Sequence, residues 1–259
     1  MAWVTSEELL ATVVPYAIFW TYSGIYVMLE SRLEKYKLHS KKEEEEKNLV
    51  SRKAVFKAVV IHQILSIAMN LCVFAATREK IGPESPRKQL TLLVLAKQVI
   101  IAILVIDTWS FFVHWYSHQN KFLYRLIHIP HHRLVVPYSF GAHYMHPIEG
   151  ILDTMGGTLA VLLSGMSPRT SMFFVSFTMI KVVDDHCGMR LPGNPFNLLS
   201  NNSAYHDVHH QLYGTKYNFS VYLDIWDKIL GTYMPYTLEK TPDGRLEVRK
   251  ADQEEKKYD

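Results

Sequence analysis

Eleven of the chain's 13 histidines fall between positions 114 and 210, and their spacing repeats. His114 and His118 stand four apart in HWYSH, and His128, His131 and His132 form an H-x-x-H-H box in HIPHH. His206, His209 and His210 repeat that box in HDVHH, while His186 stands in DDHCG. His143 and His146 occur in HYMHP, with Glu149 close behind. Neutral imidazole ligates iron, zinc and copper, and helical residues three or four apart lie on one side of the helix. One metal takes roughly four to six ligands, so a cluster of this size suits two metals better than one. A pair of irons can share the electrons that dioxygen activation demands. Asp107, Glu149, Asp184, Asp185 and Asp207 lie beside the histidines and are expected to accept the far ring N–H and orient the imidazoles. His39, in a charged loop, His62, in an apolar run, and Cys187 are expected to serve structure rather than ligation.

Long apolar segments must position these groups. Leu9 to Leu29 is free of charge and long enough to cross a hydrocarbon core of about 30 Å. Ala58 to Thr77 is a second such run, and Leu90 to Val113 a third, interrupted by Lys97 and Asp107. A fourth apolar region, 154–183, is broken at Ser167-Pro168-Arg169 and reads as a shallow hairpin or two tilted helices. Residues 1–8 carry no Lys or Arg, whereas the loop after the first run carries Arg32, Lys35, Lys37, Lys41, Lys42, Lys47, Arg52 and Lys53. That asymmetry predicts a lumenal N-terminus, with the charged loop, the histidines and the C-terminus all cytosolic. Asn201 and Asn218, both in glycosylation sequons, would then stay unmodified.

The balance of 28 Lys and Arg against 25 Asp and Glu gives no nucleic-acid footprint, and two cysteines exclude a disulfide scaffold or cysteine-built zinc ribbon. The expectation is an all-α polytopic membrane protein with a cytosolic helical cap. Three segments are expected: spans and charged loop in 1–89, the histidine-bearing domain in 90–240, and a polar tail in 241–259.

HWYSH, HIPHH, HPIEG, DDHCG, HDVHH and WDKILGTY together resemble the fatty acid hydroxylase and sterol desaturase superfamily over residues 90–240. The longer strings SGMSPRT, VDDHCG, LPGNPF and NNSAYHDVHHQLYGTKYNFS resemble its plant sphingoid base 4-hydroxylases, and with these the likeness runs from the first span to the tail. The resemblance implies two irons and oxygen-dependent hydroxylation at carbon 4 of sphinganine or its N-acylated form. It implies His114, His118, His128, His131, His132, His186, His206, His209 and His210 as ligands. Fatty acid 2-hydroxylases carry a further histidine where this chain has Arg190, which leaves His146 as the candidate tenth ligand. Trp115 stands where Arg is expected in the first box, and Pro130 should bias Ile129 away from helix. Lys256 and Lys257 resemble a dilysine retrieval signal for the endoplasmic reticulum membrane.

Neither a His-Pro-Gly-Gly haem signature nor a G-x-G-x-x-G nucleotide fingerprint occurs, so electrons must come from other proteins. The resemblance implies cytochrome b5 and its NADH-dependent reductase. A sterol or acyl-lipid desaturase or methyl oxidase of the same superfamily would use the same boxes around a different cavity. A histidine-rich metal transporter is a third reading, although such proteins place ligands within their spans and commonly show inverted repeats.

Overall fold

The computed structural model describes residues 4–81, 91–242 and 244–251. Three long helices dominate: α1 (Ser6–Glu30), α3 (Arg52–Ile81) and α4 (Leu92–Gln119). These are long and apolar enough to cross a membrane, α3 over Arg52–Thr77. At 1.5 Å per residue each exceeds the roughly 30 Å of hydrocarbon to be spanned. Large apolar side chains such as Leu10, Met28, Ile61, Leu65, Leu93 and Ile100 point outward, as lipid contact requires. This is an integral membrane protein. Thr5 starts α1 with a capping box completed by Glu8, and the Thr91 side chain accepts from Val94 N–H to start α4.

Between the first two spans, Ser40 and Glu43 form a capping box on the short α2 (Lys41–Lys47). Its exposed Lys41–Glu45 and Lys42–Glu46 pairs give the solvated face that its charges predict. Glu44 instead turns inward to Arg52. His39, expected to serve structure rather than ligation, is buried, with its Nε2 2.9 Å from Asp207 of a distant helix.

After α4 come the single turn α5 (Lys121–Leu123), a π turn over Tyr124–His128, and α6 (Ile129–His132). Ile129 is helical here, against the bias set by Pro130. Its N–H reaches back to Tyr124 O, five residues away, and this widened turn relieves the crowding between the proline ring and the preceding turn.

The apolar region expected as a hairpin forms two helices, α7 (Pro147–Ser164) and α8 (Pro168–Asp185), separated by Gly165–Ser167. Neither meets the spanning criteria that α1, α3 and α4 meet. α8 packs along α1, and α7 along α4. Then follow α9 (Ser203–His210), capped by the Asn202 side chain, and α10 (Ile225–Leu230). One element was absent from the all-α reading: an antiparallel hairpin of β1 (Tyr236–Lys240) and β2 (Leu246–Lys250). It crosses the expected boundary at position 240, and buried Val248 ties the segment to Leu38, Ala204, Val208 and Met234. Burial of each Leu, Val or Met side chain among these, outside the spans, is worth ~1.5–3 kcal/mol. Within the spans lipid is as apolar as the core, so Phe19, Val55 and Val59 stabilise through close packing instead. The dilysine pair Lys256 and Lys257 lies outside the described residues.

Candidate metal centre

Nine histidines converge in two groups. His114, His118, His128, His132 and His209 form one, and His131, His186, His206 and His210 the other. Within each group one ring nitrogen per residue lies within 4.8 Å of all the others. The two H-x-x-H-H boxes are shared between groups in reciprocal fashion. His128 and His132 enter the first group and His131 the second, while His206 and His210 enter the second and His209 the first. Helix geometry explains the division: residues i and i+4 are about 40° apart around the axis, whereas i+3 and i+4 are separated by about 100°. The repeated box therefore feeds two adjacent histidine groups.

What orients the rings differs from expectation. Backbone carbonyls accept from Nδ1 of five of them: Phe219 O from His114, Tyr144 O from His131, Val182 O from His186, Tyr217 O from His209 and Leu134 O from His210. A carbonyl can only accept, so Nδ1 carries the proton and the Nε2 lone pair is left free. Of the five carboxylates expected to do this, Glu149 alone meets one of the converging imidazoles, with Oε1 2.5 Å from His128 Nδ1. Asp107 accepts from the N–H groups of Tyr222 and Leu223, and Asp184 accepts from Tyr26 and Asn194. Asp185 pairs with Lys181, and Asp207 with His39. These four hold the surrounding helices and loops rather than the imidazoles. Carbonyls are invisible to a reading of side-chain types.

His146 is in neither group. Its extended backbone before Pro147 sets it at the N-cap of α7, where its Nδ1 accepts from Ile148 N–H. His143 is also outside: it stacks on Phe19 at 4.5 Å, and its Nδ1 is 3.2 Å from Gln63 Nε2. His62 packs beside it, under Gly150. Cys187 is buried and donates to Met189 O, as a structural thiol would.

The donor set fits metal ions. His114 Nε2 and His209 Nε2 are buried without a hydrogen-bond partner. His132 Nε2 sits 3.1 Å from His118 Nε2 and 3.0 Å from His128 Nε2, and His206 Nε2 is 3.0 Å from those of His186 and His210. Convergent, unpartnered lone pairs are costly unless a cation receives them. Burial, followed by crowding from neighbouring imidazoles, holds His132, His206, His209 and His210 well below the ordinary histidine range. Burial pushes His128 down to about 3 and His131 to about 4. All are neutral at physiological pH, as ligands must be.

Acid should therefore unload and destabilise the centre. These groups have folded pKa values below the unfolded value of about 6.5, so the unfolded chain binds more protons once pH drops under 6.5. Stability present above that point falls as pH moves toward 4 and 3, and protons compete with metal over the same window. Metal retained after dialysis at pH 5 should be well below that at pH 7.5; equal retention would contradict this electrostatic picture.

A cavity of about 1110 Å³ opens onto both groups, touching His114, His128, His131, His186 and His206. It runs between α1, α3, α4, α7 and α8, and is larger than the roughly 300–1,000 Å³ of drug-sized pockets. Sequence reasoning missed Asp153, which faces this space. The signal was available: it is the single charged residue between Gly150 and Pro168.

Spanning helices that deliver buried neutral imidazoles to a long cavity define an integral membrane protein with a histidine-built metal centre. The chain belongs to the fatty acid hydroxylase family, whose sequence pattern matches residues 99–232. It is 57% identical to Arabidopsis thaliana sphinganine C4-monooxygenase 1, over 96% of both chains. It is 49% identical to a rice (Oryza sativa subsp. indica) protein named very-long-chain aldehyde decarbonylase GL1-9, over 94% of this chain and 95% of that one. It is 37% identical to Schizosaccharomyces pombe sphingolipid C4-hydroxylase sur2, over 90% and 93%. No solved structure matches significantly.

Proposed function

We infer that this chain hydroxylates carbon 4 of a sphingoid base, using dioxygen. The observation that carries the reading is the pair of imidazole groups at one end of a long cavity within a membrane scaffold. The names of the Arabidopsis and fission yeast relatives supply the substrate class. Two irons would be held, one by His114, His118, His128, His132 and His209, the other by His131, His186, His206 and His210. When bound, they supply the oxygen-activating redox chemistry that attack on an unactivated methylene requires.

The protein's own residues do the rest. Carbonyls and Glu149 fix the tautomers of six of the nine imidazoles, so the Nε2 atoms of those six are free for their centres without reorganisation. The cavity walls contributed by α3, α7 and α8 hold the chain so that one methylene faces the centre. Adjacent methylenes differ little in intrinsic reactivity, so this placement sets the site of attack. Electrons come from outside, by this reading from cytochrome b5 and its NADH-dependent reductase at the cytosolic face of the endoplasmic reticulum. Region 90–240 then works as the catalytic unit, with 1–89 as its membrane support and Lys256 and Lys257 as the retrieval signal.

The N-terminus is lumenal and the charged loop cytosolic on this reading; a tag at the N-terminus should resist protease until vesicles are opened. Glycosylation cannot test this, because Asn201 and Asn218 are buried in the fold.

Expression in cells that lack 4-hydroxylated sphingoid bases tests the reaction. The trihydroxy base should accumulate. The rice relative's name motivates a second reading, aldehyde to hydrocarbon conversion, and the same lipid extract decides it. Long-chain hydrocarbon without trihydroxy base would overturn the C4 reading.

A further inference from the structure

Along α7, Glu149, Asp153 and Gly157 follow one another at intervals of four, and all three line the cavity. Glu149 is tied to His128. Asp153 lies one turn further, about 6 Å along the axis. It sits deep within the protein yet stands exposed to the cavity space. Among the described residues its carboxylate has no hydrogen-bond or ion-pair partner. Burial, then the nearby Glu149, raises its pKa to about 6, a cost that a cation in the cavity would relieve. Beside it, a Cβ at Gly157 would meet nothing within 4 Å, which leaves room along the same wall.

We propose that Asp153 receives the ammonium group of the long-chain amino alcohol and is the residue that sets the preference of this site for the free base over its N-acylated form. This rests on the C4 reading. A sphingoid base carries its nitrogen on carbon 2, so the nitrogen is three bonds of about 1.5 Å from carbon 4. With carbon 4 presented to the imidazole groups, the nitrogen stays within about 4 Å of it, in the same cavity whose wall carries Asp153 one turn after the His128-bound Glu149. An amide nitrogen has no charge to offer and would leave the carboxylate unpaired in a buried site.

The test uses the full chain in membranes with its electron donors, supplied with sphinganine or with N-acetylsphinganine. Wild type should prefer the base at least tenfold in kcat/KM. Asp153→Asn should lose roughly 10-fold to 100-fold on the base, chiefly through KM, with little change on the amide. Asp153→Glu should recover part of the loss, and iron content should match wild type in both variants. Three results would overturn the proposal: a wild type without preference for the base, an Asn variant that keeps the preference, or an equal fall on both substrates. Lost iron in Asp153→Asn would likewise reassign the residue to support of the centre. A wild type that hydroxylates neither compound would sink the C4 reading itself, and this proposal with it.

Discussion

His132→Ala and His209→Ala are expected to abolish hydroxylation and to lower bound iron, each in protein that still reaches the membrane. His132 Nε2 meets two other ring nitrogens of its group, and His209 Nε2 is buried with no other partner. No neighbour can replace the missing imidazole in either case. Loss of a ligand or its support typically costs 10-fold to 100-fold or more in affinity or activity. The two groups should respond unequally. His210→Ala or His186→Ala leaves three histidines where four stood, whereas His118→Ala leaves four where five stood, so the former should lose iron more completely. His146→Ala should keep its iron and lose no more than an N-cap, ~0.5–2 kcal/mol. Expression must be matched, because a fold that depends on metal is degraded when its ligands go. Full activity in two well-expressed box variants would refute the metal assignment.

The second large effect comes from a residue that contributes no side chain. A Cβ at Gly214 would lie 1.7 Å from Val208 O and 2.6 Å from Val208 C, both backbone atoms of α9. Neither can yield without moving the helix that carries His206, His209 and His210. Gly214→Ala is therefore expected to cost at least the ~1–3 kcal/mol of ordinary core overpacking, and to displace ligands of both groups together. Gly24→Ala, where a Cβ meets nothing within 4 Å, is the control and should leave stability unchanged or slightly raised. Thermal unfolding in detergent, with iron measured on the same samples, separates them. Equal midpoints would show that the loop after α9 is not held as tightly as its contacts require.

Much of this organisation is written locally. Charge-free runs located α1, α3 and α4, because a span needs little beyond length and apolarity. Histidine spacing singled out the nine histidines that converge, since each box sits on its own turn of helix. What escaped depends on contacts across the chain. Asp207 looked like support for its neighbouring histidines but is claimed by His39, 168 residues away. His39 therefore belongs to the interior, and His39→Ala would leave a buried carboxylate unpaired. The carbonyl partners of the imidazoles depend on how loops return to the site, and His146 was diverted by the proline that follows it. The hairpin was legible and missed: the alternating YTLEK and RLEVRK flank TPDG, a turn signal.

The central claim is that two separate histidine groups each hold one iron, and the metal content of purified protein tests it most directly. Wild type, reconstituted anaerobically with ferrous iron and freed of excess, should retain two irons per chain. A variant disabled in the four-histidine group, such as His186→Ala with His210→Ala, should retain one. A single iron in the wild type, or two retained after that group is removed, would contradict the account.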